Sequence, residues 1–270
     1  MEMFKRVLVA LDHTIFDREL MAFASYFARL THPEKLYFVH IDRNLEIPDY
    51  LQSAFDNQAE VYLPKDELLK QDLEKTIDRY FKNDLNVPVS VEIREGKPLQ
   101  ELLHWIKVKK IDLAIVGNKK LSEGSGITAN KLAREAPCSM LFVPHGQKFP
   151  PGQLIVPFDF STSAGIALKT ALQLSTDTGP VPVKVLHVFD VPVMHRHELT
   201  GNFGEVVKKV REFKKQSFQK FLDKEGLNSF GISVEMIENS TGKTAHHLNN
   251  SISEEENAMV LVGDKDHSLL

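Results

Sequence analysis

The chain has 270 residues, a formal net charge of −4, and apolar and charged fractions of 42% and 26%, which are those of a globular protein and exclude a disordered one. Its basic residues are scattered, and no apolar run approaches the roughly 18 residues that a bilayer crossing needs, so neither nucleic acid nor a membrane is an expected partner. The single cysteine, Cys138, fits a reducing compartment, and we expect a cytoplasmic protein.

In the first half of the chain, short apolar runs alternate with longer stretches of helical period. The runs predict strands near residues 5–11, 35–41, 88–93, 112–116 and 138–143. Two of the stretches between them place apolar residues along one helix face, namely Ile15, Leu20, Phe23, Phe27 and Leu30 in the first and Leu68, Leu69, Leu73, Ile77 and Phe81 in the second. This alternation predicts a doubly wound, Rossmann-like α/β domain with a parallel sheet.

The ends of the predicted strands indicate where a ligand is expected. Ligands of open parallel sheets bind beyond the carboxyl ends of the strands, where the winding direction reverses. Asp12 closes the first strand, Ile41 the second and Gly117 the fourth, so these three residues form the candidate binding edge. The long excursion 42–64 follows the second strand, and such connections are often lids or contact surfaces. The sequence leaves open which of the two it is.

The second half of the chain repeats the first. KRVLVALD, ending at Asp12, matches QLIVPFD, ending at Asp159, and the strand around His40 matches the strand around His187, both at a step of 147 residues. We therefore predict two tandem domains, residues 1–144 and 153–270, joined by a proline- and glycine-rich linker, residues 145–152. The repeat places three further residues at the equivalent edge of the second domain: Asp159, Phe189 and Gly263.

The second copy stops short of the first. After Gly263 it reads DKDHSLL, and about 25 residues that would supply the final helix and the fifth strand of a full repeat have no counterpart. The acids Asp264 and Asp266 follow the glycine and would repel phosphate. We predict a second sheet that lacks its last strand, and a weaker ligand site than in the first domain.

Several of these features together resemble the universal stress protein family. They are the Asp that closes the first strand, the His of the second strand, G-x-P at the third crossover, the apolar strand ending in Gly117, and the segment GITANKLAREAPCSMLFVP. The resemblance covers nearly the whole chain, as a tandem two-domain member. It implies a parallel sheet of strand order 3-2-1-4-5 in each domain, pairing through the fifth strands within the chain or by self-association, and a role in stress responses. In some members it implies ATP as the ligand.

The resemblance also implies a glycine motif, from which this chain departs. ATP-binding members carry G-x-x-G, nine residues, then G and Ser or Thr, and the glycines let backbone N–H groups reach the phosphate. Gly117 is present, but Lys120 replaces the second glycine, and Ile127 stands where the hydroxyl belongs. Small, hydroxyl-bearing and basic residues still predict an altered phosphate site for ATP or another adenine nucleotide: Lys119, Lys120, Gly124, Ser125, Gly126 and Thr128.

Other suggestive residues have simpler interpretations. TGKT at 241–244 lacks the first glycine of a P-loop, since Ile237 occupies that position, and predicts a helix entrance. His40 and His187 lie in apolar strands and are expected in the core. Ser161 and Ser163 are expected to cap the following helix. Four more histidines lack metal-ligand spacing and are expected in solvent, so no metal site is predicted: His195, His197, His246 and His247.

We therefore expect a stress-response binding protein that is not an enzyme. One alternative is a ligand-free interaction or dimerisation scaffold. Another is a weak ATP-hydrolysing enzyme, for which Asp12 and Glu123 are the candidate metal-holding acids. A third is a small apolar ligand bound beneath the excursion 42–64.

Overall fold

The computed structural model describes residues 4–43, 45, 65–81, 87–118, 127–177, 181–191 and 203–264, with the side chains of Ile127, Thr128 and Asp177 excepted. The chain divides into two compact units, which we call unit 1 (Met1–Gln147) and unit 2 (Lys148–Leu270). The division falls in the segment of prolines and glycines between the two copies of the repeat. Among the helices of the described residues, none is long and apolar enough to cross a membrane.

Unit 1 alternates strands and helices. In chain order its elements are β1 (Arg6–Leu11), α1 (Asp17–Thr31), β2 (Lys35–Asp42), α2 (Lys65–Phe81), β3 (Val89–Glu95), α3 (Pro98–Lys109), β4 (Leu113–Asn118), α4 (Ile127–Glu135) and β5 (Ser139–Pro144). The strands form one parallel sheet in the order β3-β2-β1-β4-β5. The predicted fold class and strand order are confirmed for this unit.

The sheet of unit 1 carries a core on each face. Val7, Leu8 and Val9 in the central strand β1 have no exposed surface, as expected for a strand covered by helices on both sides. One core packs α3 and α4 onto the sheet around Trp105 and Leu132. This two-sided burial explains why the central strands β1 and β4 are continuously apolar, whereas the edge strand β3 alternates.

The predicted helix faces are mostly correct, with two exceptions. Leu20, Phe23 and Phe27 of α1 are buried, but Ile15 precedes the helix and is 78% exposed. In α2, Leu73 and Ile77 are buried whereas Leu68 is 51% exposed, because only the later turns of this helix contact the core. The apolar period gave the correct helix face, but it could not show where along each helix the contact with the core begins.

Unit 2 follows the same plan. Its elements are β6 (Gln153–Pro157), α5 (Thr162–Asp177), β7 (Val183–Phe189), α6 (Phe203–Glu225), β8 (Ile232–Glu238), α7 (Thr244–Ser253) and β9 (Ala258–Val260). Within the described residues its parallel sheet has four strands in the order β8-β7-β6-β9, which is the order of unit 1 without the fifth strand. The predicted incomplete second sheet is confirmed.

The outer strand β9 of unit 2 is less buried than β4, the strand in the same position in unit 1. The three residues of β9 are only half-buried, and no residue of α7 is buried, whereas α3 of unit 1 buries Leu102, Trp105 and Ile106. Val262, just beyond β9, is 71% exposed. In unit 1 the α4 and β5 segments supply this cover, and the described part of unit 2 has no equivalent of them.

Candidate functional site

The strand register of unit 1 brings the three predicted edge residues together. Leu11 pairs with His40 of β2, so Asp12, the next residue, comes beside Ile41. Ala10 pairs with Val116 of β4 on the other side of β1, so Gly117 comes beside Leu11. The chain winds from β1 towards β2 on one side and reaches β4 on the other, and ligands of such sheets bind at this reversal.

The turn between β1 and α1 is held by a buried acid. One carboxylate oxygen of Asp17 accepts the N–H of Asp12 at 3.2 Å, and the other accepts the N–H of His13 at 2.8 Å. Asp12 in turn accepts a hydrogen bond from the hydroxyl of Thr14 at 2.6 Å. His13 lies in the left-handed region at φ 58°, which is uncommon for a residue other than glycine. The two bonds to Asp17 therefore help to fix a tight turn that presents Asp12.

The carboxylate that holds this turn is costly to bury. Asp17 is only 6% exposed, and burial raises its pKa to about 6 against the lowering effect of its two backbone hydrogen bonds. The nearby Asp12 carboxylate raises the pKa further. A rise of this size corresponds to about 3 kcal/mol of unfavourable free energy for the ionised form in the folded protein. The sequence analysis missed Asp17, because a single acid at a helix start reads as an exposed first-turn residue.

Two histidine rings lie behind the turn. The rings of His13 and His40 are 5.7 Å apart between centroids, and Nε2 of His13 lies 3.5 Å from a carboxylate oxygen of Asp72 in α2. Nδ1 of His40 lies 3.1 Å from the carbonyl oxygen of Leu11. His40 is 7% exposed, and burial lowers its pKa. The prediction that His40 is a hydrogen-bonded core residue is confirmed.

The far side of the edge is lined by β2 and β3. Ile41 is half-buried and pairs with Arg94 of β3, whose guanidinium lies 4.8 Å from the ring centre of Trp105. Asp42, the last residue of β2, forms an ion pair of 2.6 Å with Lys65 at the start of α2. These contacts tie the end of β2 to both neighbouring elements.

Gly117 leaves open space at this edge. Among the described residues, a Cβ placed on Gly117 would meet nothing nearer than Cδ2 of Leu20, at 4.0 Å. The glycine is therefore not required by packing against the described residues. The predicted residues Lys119, Lys120, Gly124, Ser125 and Gly126 lie outside the described residues, as do Glu123, the side chain of Thr128 and nearly all of the excursion 42–64.

The equivalent turn of unit 2 is built without a buried acid. Phe160 takes the left-handed conformation of His13, at φ 66°, and its ring packs against His187 at 4.9 Å between centroids. Asp159 accepts the N–H of Ser161 at 2.9 Å, and the Ser161 hydroxyl accepts the N–H of Ala164 at 3.1 Å. The predicted cap by Ser161 is confirmed. Ser163 contacts the Ser161 hydroxyl at 3.3 Å instead of capping the helix directly.

At Gly263, unit 2 differs most from unit 1. A Cβ on Gly263 would overlap the carbonyl group of Ser163 and lie 2.7 Å from the N atom of Ala164. The chain beyond β9 therefore lies directly against the first turn of α5, whereas no described residue of unit 1 comes as close to Gly117. Phe189, the third predicted residue of this edge, is 2% exposed with the Arg211 guanidinium 5.8 Å from its ring centre.

The remaining candidates of the sequence have structural roles. Gly242 has φ 73° and comes two residues before α7, so TGKT is a helix entrance as predicted. His246 and His247 lie on α7, hydrogen-bonded to Asn250 and Thr241. His195 and His197 lie outside the described residues. Within the part of the chain that is described, no group of three His, Cys, Asp or Glu residues could hold a metal.

Comparison with known proteins agrees with the fold. The family sequence model of the universal stress proteins matches residues 3–144. No curated protein matches the chain significantly. A universal stress protein from Archaeoglobus fulgidus DSM 4304 is similar in structure at a TM-score of 0.64 and 15% identity, over 95% of this chain and 86% of that one. At that identity the similarity shows the tandem fold.

Two further solved structures match about half of this chain. A universal stress protein in complex with cAMP has a TM-score of 0.38 and 17% identity, over 52% of this chain and 97% of that chain. A universal stress protein from Archaeoglobus fulgidus in complex with dAMP has a TM-score of 0.35 and 13% identity, over 52% and 98%. The family match spans more than half of the sequence, and the chain belongs to the universal stress protein family.

Proposed function

We propose that this protein is a regulatory binding protein that holds ATP or a related adenine nucleotide at the carboxyl edge of unit 1, without turnover. The observation that carries the proposal is the juxtaposition of Asp12, Ile41 and the open position at Gly117. An apolar side chain suits the flat face of a base, a carboxylate suits the hydroxyl groups of a ribose, and an unobstructed backbone suits an approaching phosphate.

The proposal assigns a role to each of these residues. Asp12 accepts hydrogen bonds from hydroxyl or amino groups of the nucleoside, and Ile41 packs against the flat face of the base. Gly117 gives the phosphates access to backbone N–H groups, and the amino end of α4, which begins at Ile127, favours negative charge. From the sequence, Lys119, Lys120, Gly124, Ser125, Gly126 and Thr128 complete the phosphate contacts.

Unit 2 is proposed to leave its equivalent edge unoccupied. The close approach of Gly263 to Ser163 and Ala164 takes up the space that the described residues of unit 1 leave open at Gly117, and Asp264 follows it. Asp159 and Gly263 would then be structural counterparts of Asp12 and Gly117, and Phe189 that of Asp42, the residue after Ile41. The expected stoichiometry is one nucleotide per chain.

Calorimetric titration with ATP, ADP and AMP tests the proposal. Replacing Gly117 by valine fills the open space, and its Cβ would only touch Leu20 at a van der Waals distance. Gly117→Val is expected to fold and to weaken binding by at least about tenfold. Ser139→Val is the matched control. Ser139 is exposed and lies at the amino end of β5, away from the carboxyl ends of the strands where the nucleotide is proposed to bind.

Three results would speak against it. Absence of heat with all three nucleotides at millimolar concentration would remove the nucleotide and favour the ligand-free scaffold. Equal binding by the wild type and Gly117→Val would place the ligand elsewhere. Phosphate release from ATP above a buffer blank, lost on changing Asp12, would support the weak ATPase instead.

We also propose that the protein acts in the cytoplasm and associates through β5. The single cysteine supports a reducing compartment such as the cytoplasm.

The proposed association through β5 rests on its place in the sheet. β5 is an edge strand whose Met140, Leu141 and Phe142 are only half-buried, which supports pairing with another strand along this side of the sheet. Sedimentation of Leu141→Lys beside the wild type tests the association, since a charge on an edge strand opposes pairing. An unchanged sedimentation coefficient would count against it.

A further inference from the structure

The two units build the same turn in two ways. In both, the residue after the closing aspartate is left-handed and carries a ring that faces the histidine of the next strand. Unit 2 holds this turn with the uncharged Ser161 cap and has Ala164 at the helix start. Unit 1 has Asp17 where unit 2 has Ala164, and both Asp17 oxygens bond the turn backbone. The chain thus shows that the turn needs no buried acid in order to form.

A buried acid that the turn does not need calls for another explanation. Both oxygens of Asp17 are committed to N–H groups, so they can act together only as acceptors, in the ionised state. A proton on either oxygen makes that oxygen a poorer acceptor and can be donated to the Asp12 carboxylate, so the bond from the turn N–H group to that oxygen is weakened. The ionised carboxylate therefore holds the Asp12–His13 backbone more firmly than the protonated one.

We infer that Asp17 is a proton-linked positioning residue for the nucleotide site of unit 1: when it is ionised it fixes the Asp12 turn for ligand binding, and when it is protonated it releases that turn. The inference rests on the proposed function for its ligand. Asp17 need not touch the nucleotide. It acts through the backbone N–H groups of Asp12 and His13.

Among the titratable groups around the turn, Asp17 is the one best placed for this role. Burial raises its pKa to about 6, so its proton is gained and lost in mildly acidic solution. Glu19, on the same helix, is directed elsewhere, to the ring of His145 and the N–H of Gly146. The other titratable groups that face the turn from the elements packed around it are Asp12 of the β1 end, His13 of the turn itself, His40 of β2 and Asp72 of α2.

The expected pH dependence follows from the fraction of protein that is ionised at Asp17. If only that fraction binds, the affinity for ATP is about tenfold weaker at pH 5 than at pH 7.5. The double variant Thr14→Ser/Asp17→Ala grafts the serine cap and the alanine of unit 2 onto unit 1 and should lose this dependence. The phosphate ionisation of ATP itself is common to both proteins and cancels in the ratio of their affinities.

The experiment measures ATP affinity by calorimetry from pH 5 to pH 7.5 for the wild type, the double variant and His13→Phe. His13→Phe introduces the ring of Phe160 and keeps Asp17, so it separates the carboxylate from the neighbouring imidazole. NMR spectra of the same proteins follow the amide signals of Asp12 and His13 over the same pH range. In the wild type and His13→Phe the Asp12 amide should titrate with a midpoint near 6, and in the double variant that step should be absent.

The outcomes separate the inference from the proposed function. A tenfold loss of affinity in acid for the wild type and His13→Phe, with a flat ratio for the double variant, supports Asp17 as the proton-linked residue. ATP binding whose pH dependence is the same in the wild type and the double variant overturns the inference alone. A dependence that disappears in His13→Phe also overturns it, in favour of the imidazole. If the wild type binds no ATP at pH 7.5, the proposed function fails and the ligand linkage with it.

Discussion

His187 directs its Nδ1 atom at the carbonyl oxygen of Phe158, 2.7 Å away. The same contact joins His40 to Leu11 in unit 1, at 3.1 Å, and the two pairs are separated by the 147-residue step of the repeat. In each unit a histidine of the second strand thus pairs with the carbonyl of the residue that precedes the closing aspartate. The duplication preserves a hydrogen bond at the switch point as well as a pattern of apolar residues.

Replacing His187 by leucine should destabilise unit 2. The change leaves the buried carbonyl of Phe158 without its partner, which costs about 1–3 kcal/mol. Urea unfolding followed by circular dichroism measures the loss. The emission of Trp105, the only tryptophan, reports on unit 1 and is expected to change little. His246→Leu, on the surface of α7, is the control, and an equal loss in both variants would contradict the role given to His187.

The same histidine makes unit 2 sensitive to acid. Burial lowers the pKa of His187, so the unfolded chain takes up its proton at a higher pH than the folded protein does. Its contribution to stability is complete above pH 6.5 and is lost as the pH falls below that value. The free energy of unfolding should therefore fall less between pH 7 and pH 5 in His187→Leu than in the wild type. Parallel pH profiles of the two proteins would refute the assignment.

Asp17 predicts the opposite pH dependence for unit 1. Its pKa is raised to about 6 in the folded protein, so the contribution of this carboxylate to stability is most favourable in acid and declines as the pH rises from about 4 to about 6. The decline amounts to at most about 3 kcal/mol. Thr14→Ser/Asp17→Ala lacks this carboxylate, so its stability relative to the wild type should increase over that range. Urea unfolding followed by Trp105 emission at pH 4.5 and pH 7.5 measures the difference, and a constant difference would contradict the burial cost.

Gly117 and Gly263 form a matched pair with different expected costs. Gly263→Ala places a Cβ against the backbone of Ser163 and should destabilise unit 2 by about 1–3 kcal/mol or more, because backbone atoms cannot move aside easily. Gly117→Ala meets only Leu20 at 4.0 Å and should change stability by less than about 0.5 kcal/mol. Urea unfolding of both variants decides the matter. Similar losses for the two would show that unit 1 is as tightly closed at this point as unit 2.

Cys138 should react slowly in the native protein. Burial raises the pKa of its thiol to about 11, so only about one molecule in a thousand carries the reactive thiolate at pH 8. Modification by a thiol reagent is expected to be about a hundred times slower than in the urea-unfolded chain. Equal rates before and after unfolding would show that the thiol is accessible in the native state.

The sequence was sufficient to predict the architecture because two independent features, the strand pattern and the internal repeat, indicated the same fold. Each predicted strand of unit 1 lies within two residues of its observed bounds, because the central strands are continuously apolar and the edge strand β3 alternates apolar and polar residues. The repeat then predicted unit 2, including its missing strand. Ile15 and Leu68 were misplaced because apolar spacing does not show where a helix loses contact with the core.

The site was only partly predictable, for a physical reason. Asp12, Ile41 and Gly117 follow from the strand ends, which the sequence shows. Asp17 could have been noticed by aligning the two copies, because the same alignment sets this acid against Ala164. Its burial, however, depends on the turn backbone folding back onto the helix start, and the close contact at Gly263 depends on atoms far apart in sequence.

Amide hydrogen exchange with and without ATP tests the central claim most directly, because it locates the ligand as well as detecting it. Saturating ATP should protect the amides of residues 12–17, at the β1–α1 turn, and those around Ile41 and Gly117, and should leave residues 159–164 of unit 2 unchanged. Protection confined to unit 2, equal protection of both edges, or no protection with ATP in excess would contradict the account.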